Sequence, residues 1–300
     1  MQWKTICLVS MAGCLLLSQS GCAASSKNIK TEENTQTQEA TVQTQETAAQ
    51  TQEDTWMQVD FLDVGKADAI VVQTQSHTIA IDCGEKDDGM DMVQFLKDNN
   101  VETLDYLIIT HYDQDHVGGA AKVIRKIGAN TVIAPDYTEK SSEYEKYIAA
   151  LSDTGISPIL LTADDCFILD DVTFTVYASY PYTYTENTDN NSSLVVRAEH
   201  GENVFLFAGD AMEERLEELM DIGECTLLKV PYHGRDISNL LDFLEKVQPK
   251  FSIISSTESV ISENTVSLLE DAGASVYATS WNGHITAISD GNTIQIETER

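Results

Sequence analysis

The chain of 300 residues alternates apolar runs with polar turns, and the period of its apolar positions changes along the sequence. The first apolar runs after residue 56 are short, and tight turns separate them, which is typical of strands paired in hairpins. Later runs alternate with segments whose apolar residues recur every three or four positions, as in helices packed on a sheet. This order predicts a mixed α and β fold, with two mixed sheets packed together and helices outside.

The individual elements follow from the same periods, with polar or glycine-containing turns between them. Strands are predicted near residues 59–62, 70–73, 78–81, 106–110, 131–134, 158–161, 172–178, 193–198, 204–207, 226–230, 251–255, 275–278, 284–288 and 293–297. Helices are predicted at residues 92–96, 117–127, 144–151, 212–220, 238–247 and 264–272. Residues 180–191 are predicted to form a polar, tyrosine-rich loop.

Residues 1–22 have the composition of a secretory signal. Lys4 precedes an apolar stretch, residues 6–17, that is too short to span a membrane. Ser20-Gly21-Cys22 is similar to the end of a bacterial lipoprotein cleavage box, which predicts lipidation of Cys22. Because Gln19 departs from the usual aliphatic residue, an ordinary signal peptide is the alternative. Both alternatives predict an extracytoplasmic protein, and the first predicts a lipid anchor on the outer face of the membrane.

Residues 23–55 repeat Thr-Gln and Gln-Glu pairs and contain almost no aliphatic residues. Such a segment buries too little apolar surface to offset the entropy lost on ordering, so we predict a disordered linker. The folded domain is then predicted at residues 56–300. The linker would space this domain from the membrane.

The formal net charge is −31, from 18 basic and 49 acidic residues. An acidic surface repels polyanions unless metal ions or local basic groups offset the field. The charge therefore counts against long DNA as a substrate and favours a small or neutral one. Affinity for DNA would depend on bound metals and on Lys66, Lys229 and Arg235.

Four potential metal ligands follow one apolar run within six residues. The run at residues 106–110 predicts a buried strand, and His111, Asp113, Asp115 and His116 come directly after it. In α/β folds, ligands bind at the carboxyl edge of the sheet. Imidazole and carboxylate together suit zinc, manganese or iron. This pattern favours a metal site over a simple polar turn.

Two further strand ends carry a residue of the same chemical type, Asp210 and His233. A site with two metal ions needs two or three protein ligands for each ion and a carboxylate that bridges them. We therefore predict that the three strand ends converge on two divalent ions, zinc or manganese. The predicted ligands are His111 and Asp113 for one ion, Asp115, His116 and His233 for the other, and Asp210 between them.

Several motifs together carry a resemblance to a known family. They are His-x-Asp-x-Asp-His-x-Gly-Gly at residues 111–119, Phe-Ala-Gly-Asp at 207–210 and Leu-Lys-Val-Pro-Tyr-His-Gly at 228–234. The chain resembles the metallo-β-lactamase superfamily, and more narrowly the secreted hydrolase domain of ComEC-type competence proteins, which act in DNA uptake. Residues 63–69, 81–84 and 190–195 match that branch as well. The resemblance covers residues 57–298 and implies a four-layer αββα sandwich with a metal-dependent hydrolase site.

Three features depart from the usual pattern of that family. Asp113 stands where the superfamily usually has His, although the competence branch commonly has Asp. The third-motif His is missing, and the matching region offers Asn190, Asn191 and Ser193. Lys66 stands where the family usually has Gln. These departures predict that one metal position is weak or completed by water, and they point to altered substrate choice or to weakened activity.

Residues outside the ligand set are also candidates for roles near the site. Asp82, at a strand end, is expected either to hydrogen-bond a ligand histidine or to cap a turn, and Asp68 either lines the site or stabilises a tight turn. Lys66 and Arg235 are the candidate substrate contacts, because the donors of arginine match a phosphate. His200, on a hairpin tip at the far end of the strand from the site, is interpreted as a turn residue.

The main functional hypothesis is a secreted, membrane-tethered, metal-dependent hydrolase of the phosphodiesterase or nuclease type. A water activated by the metals would attack phosphorus, with Asp115 and Asp210 as the catalytic carboxylates. One alternative is hydrolysis of a small ester or lactone at the same site. Another is a non-catalytic surface binding protein with a degenerate metal site.

Overall fold

The computed structural model describes residues 55–300. The predicted signal segment, Cys22 and almost all of the predicted linker lie outside the described residues. Within the described part, no helix has the length and apolar character needed to cross a membrane. Cys83 and Cys225 in this part are free, buried thiols.

Strands and short helices alternate along the described chain. The strands are β1 (Met57–Phe61), β2 (Ala69–Gln73), β3 (Thr78–Cys83), β4 (Leu104–Ile108), β5 (Ala129–Pro135), β6 (Ile159–Leu161), β7 (Asp165–Leu169), β8 (Val172–Tyr177), β9 (Val195–His200), β10 (Asn203–Phe207), β11 (Leu227–Lys229), β12 (Phe251–Ile254), β13 (Ser275–Ala278), β14 (Ile285–Ser289) and β15 (Ile294–Thr298). The α-helices are α1 (Gly89–Asp98), α2 (Gln114–Val117), α3 (Ala120–Lys126), α4 (Ser142–Thr154), α5 (Thr188–Asn191), α6 (Glu213–Glu218), α7 (Leu240–Val247), α8 (Glu263–Asp271) and α9 (Thr279–Asn282).

The strands form two mixed sheets. The first sheet has the strand order β15-β14-β1-β2-β3-β4-β5-β6, and the second has the order β13-β12-β11-β10-β9-β8-β7. In the first sheet β3 to β6 run parallel, and in the second β10 to β13 run parallel. The remaining pairs of neighbouring strands are antiparallel, as the predicted hairpins require.

Three hydrophobic clusters show that these sheets form the inner layers of a sandwich. One cluster lies between the two sheets and includes Phe61, Phe174 and Phe207. A second packs α1, α3 and α4 against the first sheet, and a third packs α6, α7 and α8 against the second. Burying one such Phe side chain stabilises the fold by about 1.5–3 kcal/mol. The predicted four-layer αββα sandwich is confirmed.

The predicted helix at residues 117–127 is wrong in its bounds. The chain turns helical already at Gln114, and Gly118 and Gly119 separate α2 from α3. A Cβ atom on Gly119 would overlap the carbonyl oxygen of Cys83, so only glycine lets the backbone approach β3 this closely. Asp115 and the histidine after it therefore lie within a helical turn and not before one.

Three short elements escaped prediction, namely β7, α5 and α9. Strand β7 is an edge strand whose Ile168 is 51% exposed, so its apolar positions lack the period of a half-buried strand. Helix α5 lies inside the region predicted as a loop, and four residues are too few to show a helical period.

The carboxyl ends of the parallel strands meet at one edge of the sandwich. β4 leads into the ligand turn at residues 111–116, β10 leads into Asp210, and β11 leads into His233. The backbone N–H of Leu194 donates to the carbonyl of Thr110 at 2.9 Å, which ties the two sheets together at this edge. The fold therefore brings residues that are far apart in sequence to one place.

Candidate metal centre

The first part of the site follows β4 and is almost fully buried. His111 and His116 have no exposed surface, and Asp115 is 7% exposed. Asp113 is the N-cap of α2 in extended conformation, and its side chain makes no capping hydrogen bond. The Asp113 side chain is 41% exposed, so this carboxylate lies at the mouth of the site.

The second part of the site comes from two turns after β10 and β11. Gly209, with φ +55°, directs Asp210 inward, and the Asp210 backbone N–H donates to Oγ of Ser193 at 3.0 Å. Tyr232 and His233 both have left-handed backbone conformations, with φ of 51° and 52°. Such conformations are costly for non-glycine residues and are concentrated at functional sites.

Asp115, His116, Asp210 and His233 form one compact cluster, in which one ligand atom of each lies within 4.8 Å of the others. Nε2 of His116 lies 3.3 Å from Oδ1 of Asp210, and Nε2 of His233 lies 3.3 Å from Oδ2 of the same carboxylate. Nε2 of His233 also lies 3.2 Å from Oδ2 of Asp115. Asp210 thus occupies the position between the two imidazoles.

The hydrogen bonds behind these two imidazoles fix their tautomers. Nδ1 of His116 lies 2.7 Å from the carboxylate of Asp82, and Nδ1 of His233 lies 2.9 Å from the carbonyl of Ser255. Both partners accept only, so each Nδ1 carries the proton and each Nε2 of the neutral ring presents a lone pair. These Nε2 atoms lie 3.2 Å apart. Two lone pairs at that distance require a cation between them, either a proton or a metal ion.

The same logic orients His111. Its Nδ1 lies 3.1 Å from Oγ1 of Thr110, and that hydroxyl donates its own proton to Oδ2 of Asp82 at 2.6 Å. The hydroxyl oxygen therefore accepts from Nδ1 of His111, and Nε2 again presents a lone pair. This Nε2 is buried and makes no hydrogen bond within residues 55–300.

Asp82 supports two of the three histidines. It accepts hydrogen bonds from the N–H and the hydroxyl of Thr110 and from Nδ1 of His116. Asp82 has a backbone φ of +57°, which is uncommon for a residue other than glycine. Of the two predicted roles, the structure shows the hydrogen bond to a ligand-type histidine, the contact that fixes ring orientation in metal sites.

The charges of the cluster shift its pKa values in opposite directions. Burial disfavours the charged form, but attraction to Asp210 and Asp82 outweighs it and raises the pKa of His116 well above its usual range. Burial is likewise outweighed at His233, whose pKa is raised by Asp210 and Asp115. The pKa of the Asp210 carboxyl is lowered well below its usual range, because both histidines outweigh the effect of burial. Positive charge is strongly favoured at the centre of this cluster.

The unpaired atoms of the cluster fit a divalent metal ion. Nε2 of His111 is buried without a hydrogen-bond partner in the described part of the chain, and Oδ2 of Asp115 and Oδ1 of Asp210 are buried there with charged neighbours only. Buried polar atoms are normally paired, and several facing one another are accounted for by an ion. Imidazole nitrogens and carboxylate oxygens bind zinc, manganese or iron. Residues 111–233 thus supply a His/Asp cluster able to bind metal.

The other predicted metal position is less complete. Nε2 of His111 lies 3.6 Å from Oδ2 of Asp113, and the His111 ring lies 4.1 Å from that of His116 between centroids. Burial acts against it, but interaction with His111 lowers the pKa of Asp113. Ser193, from the region of the missing third motif, lies behind the His111 ring, with Oγ 3.4 Å from Nδ1.

The two predicted substrate residues lie at the mouth of the site in different surroundings. The ammonium group of Lys66 contacts Oδ2 of Asp115, and the Lys66 side chain is 33% exposed. The guanidinium group of Arg235 lies 5.4 Å from the centroid of the Tyr232 ring, and its Nε makes no hydrogen bond in the described chain. Lys66 thus contacts the cluster directly, whereas Arg235 contacts Tyr232, the residue before His233.

Lys229 is placed differently from the expectation that it would help bind DNA. The side chain is fully buried and forms an ion pair with Asp68, and its Nζ donates to the carbonyl of Gly209 at 2.9 Å. It also lies 3.8 Å from Oδ1 of Asp210. A lysine two positions after Leu227 faces the same side of β11 as that core residue, and this alternation was the signal for burial.

His200 lies away from the site, as expected. It ends β9 opposite Asn203, at the far end of the hairpin from Asp210, and its Nδ1 pairs with Oγ of Ser289 at 2.8 Å. The ring is fully buried, so it packs inside the sandwich and is more than an exposed turn residue.

Comparison with known proteins identifies the family. Residues 62–257 match the model of the metallo-beta-lactamase superfamily. The chain is 28% identical over 219 residues to ComE operon protein 3 of Bacillus subtilis, and 27% identical over 212 residues to Recombination protein 2 of Haemophilus influenzae. These matches cover 66% and 67% of the chain but only 28% and 24% of the two relatives, so the chain spans about a quarter of their length. The predicted resemblance to ComEC-type competence proteins is confirmed.

Solved structures show the same fold at low sequence identity. The metallo-beta-lactamase fold protein YhfI from Bacillus subtilis matches with a TM-score of 0.54 and 11% identity, over 81% of this chain and 100% of that one. The metallo hydrolase Igni18 from Ignicoccus hospitalis matches with a TM-score of 0.50 and 17% identity, over 76% and 98%. The family match, the sandwich and the His/Asp cluster agree. The chain therefore belongs to the metallo-beta-lactamase superfamily.

Proposed function

We propose that the chain is a metal-dependent phosphodiesterase. The observation that carries this proposal is the pair of inward-facing imidazoles, with Nε2 of His116 and His233 at 3.2 Å and Asp210 between them. A cation position lined by carboxylates and imidazoles is the arrangement that metal-dependent hydrolysis needs.

The roles of the side chains follow from their positions. Asp115, His116, Asp210 and His233 would hold a divalent ion, and His111 and Asp113 would contribute to a second. A bound ion would supply Lewis-acid stabilisation of charge on a phosphoryl oxygen and would make a water molecule more acidic. Asp115, 7% exposed and beside the ammonium of Lys66, would orient an attacking water.

The cations at the mouth support a phosphodiester over a neutral ester. Lys66 reaches the cluster from the solvent side, and Arg235 follows directly after the left-handed turn that holds His233. Either cation would bind the unbridged oxygens of a phosphodiester as it approaches the metal position. The acidic net charge of −31 favours a short or small phosphodiester over long DNA.

The place of action is a further part of the proposal. The apolar stretch at residues 6–17 and the lipobox-like Ser20-Gly21-Cys22 support export and attachment of a lipid to Cys22. The Thr/Gln/Glu-rich residues 23–55 would then space the hydrolase from the outer face of the membrane. Fractionation of the source cells should find the wild-type chain in the membrane fraction. A Cys22→Ser variant should instead be released into the medium.

The test of activity uses the mature chain with bis-p-nitrophenyl phosphate, a short single-stranded oligonucleotide and a panel of lactones, with zinc and manganese in parallel. We expect metal-dependent cleavage of the phosphodiesters that chelation abolishes and added metal restores. His116→Ala and Asp210→Ala should each lower cleavage by at least 100-fold, on the order expected for loss of a metal ligand. His77→Ala, whose ring pairs with Asp105 instead, is the matched control.

Each other outcome assigns the site differently. Cleavage of lactones without cleavage of phosphodiesters would transfer the proposal to ester hydrolysis at the same metal position. Fewer than one bound metal ion per chain, with no activity on any substrate, would indicate a non-catalytic binding protein and reject the enzyme. Unchanged phosphodiester cleavage by the His116 and Asp210 variants would show that the cluster is not the active site.

A further inference from the structure

We propose that a pocket beside Tyr180 and Tyr182 binds the nucleobase of a nucleotide phosphodiester, while the phosphate of that substrate lies at the metal centre. This inference rests on the proposed phosphodiesterase function and deepens it by naming the substrate class. This tyrosine pocket has a volume of about 220 Å³ and is lined by residues 136, 161–162 and 179–183.

The segments that line the tyrosine pocket end at the same edge of the sandwich as the His/Asp cluster. β5 and β6 run parallel to β4, and Pro135 pairs with Leu161 at their carboxyl ends. In the second sheet, Tyr177 at the end of β8 pairs with the first residue of β9. The residue before it, Leu194, donates to the carbonyl of Thr110. The pocket therefore opens at the carboxyl edge of the parallel strands.

A buried connection joins one wall of the tyrosine pocket to the metal site. Oγ of Ser179 in the pocket donates to the carbonyl of Ser192 at 2.6 Å, and these two serines are 2% and 1% exposed. The next residue, Ser193, places its Oγ 3.4 Å from Nδ1 of His111. The wall formed by residues 179–183 is thus held against the segment that contacts the His111 ring.

A second connection runs through the first sheet. Tyr137 directly follows the pocket residue Asp136. The Tyr137 hydroxyl accepts from the backbone N–H of Tyr112 at 2.9 Å, within the metal-site turn. β6 lies two strands from β4 in the sheet. Because neighbouring strands are about 4.8 Å apart, the pocket lies roughly 10 Å from the end of β4. A base attached to a phosphate at the cluster is therefore within reach of the pocket.

The two tyrosine rings are exposed on a turn that is held in place. Tyr180 is 49% exposed and Tyr182 is 82% exposed. The N–H and the hydroxyl of Thr183 both donate to the carbonyl of Tyr180, at 2.9 and 2.7 Å. The hydroxyl of buried Tyr184 accepts from the N–H of Tyr180 and donates to Glu218. Exposed aromatic rings on a fixed turn beside an apolar pocket are typical of a binding surface.

The chemistry of the tyrosine pocket suits a nucleobase and not a phosphate. Among the described residues, its lining contains no lysine or arginine, so the phosphate would stay at the metal centre beside Lys66. Aromatic side chains stack on bases of any type. The carboxylate of Asp136 can accept a hydrogen bond from an exocyclic amino group, as carboxylates do from cytosine.

The size and charge of the pocket favour a single base over a stretch of nucleic acid. Its volume of about 220 Å³ is smaller than the roughly 300–1,000 Å³ of pockets that enclose drug-sized ligands. Stacking also needs no basic groove along the strand, which agrees with a chain of net charge −31. The expected substrate is therefore a small nucleotide phosphodiester.

The experiment compares two substrates of the metal-loaded mature chain that share the p-nitrophenyl leaving group. One is the p-nitrophenyl ester of deoxycytidine 5′-monophosphate, and the other is methyl p-nitrophenyl phosphate, which has no base. Tyr182→Ala should raise the KM of the nucleotide ester about tenfold, within the range for stacking on an aromatic side chain, with kcat unchanged. The KM of the methyl ester should stay the same.

Two further variants separate stacking from a structural role. Tyr182→Phe keeps the ring and should resemble the wild type. Trp56→Ala is the matched control, because Trp56 is 38% exposed and directly precedes β1 at the opposite edge of the sheet. It should leave both KM values unchanged. An equal rise of both KM values in Tyr182→Ala, or no rise in either, would overturn the inference.

The choice among bases tests the carboxylate of the pocket. The wild-type chain should have a lower KM for the deoxycytidine ester than for the thymidine ester, because thymine has no exocyclic amino group. Asp136→Asn should reduce this difference, since the amide adds a donor that thymine can accept. Equal KM values for the two esters in the wild-type chain would contradict the role of Asp136.

Binding without hydrolysis distinguishes failure of the pocket from failure of the proposed function. The metal-free chain is titrated with deoxycytidine, which carries no phosphate, and tyrosine fluorescence is recorded. Saturable binding that Tyr182→Ala weakens, with no hydrolysis of any phosphodiester, would leave the base pocket standing and reject only the phosphodiesterase. No binding of deoxycytidine, or binding of p-nitrophenyl hexanoate in its place, would overturn the inference and assign the pocket to an apolar group.

Discussion

Oδ2 of Asp82 lies 2.7 Å from Nδ1 of His116, and this contact decides which nitrogen of the imidazole faces the cluster. The carboxylate accepts the Nδ1 proton, so Nε2 keeps the lone pair that a metal needs. The residue adopts φ +57° to reach this position while also accepting both hydrogen bonds from Thr110. Residues behind the cluster are therefore expected to set its affinity for metal.

Asp82→Asn tests this contact directly. Asparagine tolerates the left-handed backbone, and its oxygen can still accept from Thr110, but its amide group would face Nδ1 of His116 with a donor. His116 must then move its proton to Nε2, and metal affinity should fall about 10–100-fold. Calorimetric titration with zinc measures the change. Asp60→Asn, which removes another buried carboxylate at 2% exposure in β1, should leave the affinity unchanged.

Lys66→Gln should strengthen metal binding while weakening substrate binding. The ammonium group contacts Oδ2 of Asp115, so it competes with a metal ion for that oxygen. Because Lys66 is 33% exposed and its charge is partly screened, we expect a gain of about tenfold in metal affinity. The KM for a phosphodiester should rise, with kcat changed less. Lys122→Gln is the matched control, because the side chain of Lys122 donates a hydrogen bond to the carbonyl of Lys86. Equal metal affinities in the Lys66 and Lys122 variants would contradict the competition between Lys66 and the metal ion.

Lys229→Met should destabilise the metal-free domain by about 3–5 kcal/mol, because it leaves the buried carboxylate of Asp68 without its partner. Urea unfolding monitored by circular dichroism gives the change in the free energy of unfolding. The double variant Asp68→Leu/Lys229→Met should recover a substantial part of this loss, since no charge is left unpaired. Lys250→Met, at an exposed position, should change stability by less than about 0.5 kcal/mol. A loss in Lys229→Met no larger than in this control would show that the pair is not structural.

Gly119→Ala should destabilise the fold by about 3 kcal/mol or more. Gly119 has φ −79°, which suits any residue, so the cost comes from overlap of the new Cβ with the carbonyl oxygen of Cys83 and the backbone of Gly89. Thermal unfolding of the metal-free protein measures it. Gly155→Ala isolates the other source of cost, since Gly155 has φ +73° but open space around it, and there we expect only about 1 kcal/mol.

The sequence was sufficient for the sandwich and for the approximate position of nearly all strands, because apolar runs with a period of two report directly on buried sheet faces. Edge strand β7 escaped because Ile168 is half exposed and the period is lost there. The break between α2 and α3 escaped because two glycines in a helical pattern give no sign of what lies beside them. The carbonyl of Cys83, which excludes any side chain at Gly119, comes from a strand 36 residues earlier.

The ligand-type residues were visible in the sequence because their chemistry is unusual after a buried strand, but their surroundings were not. Lys229 was interpreted as a contact for DNA, although its alternation with Leu227 placed it in the core. Its partner Asp68 is more than 150 residues away, and no local pattern joins two residues at that separation.

The cluster draws ligands from both halves of the chain, and this has a mechanical consequence. His116 and His233 are 117 positions apart, and a single ion held by both would close a loop of that length, as a disulfide does. Metal would then act as a removable cross-link between the two sheets, and it would stabilise the folded state, in which alone the ligands converge. The metal-loaded protein should unfold in a single transition. After chelation, the two halves of the chain should be able to separate, because the covalent chain by itself does not prevent it.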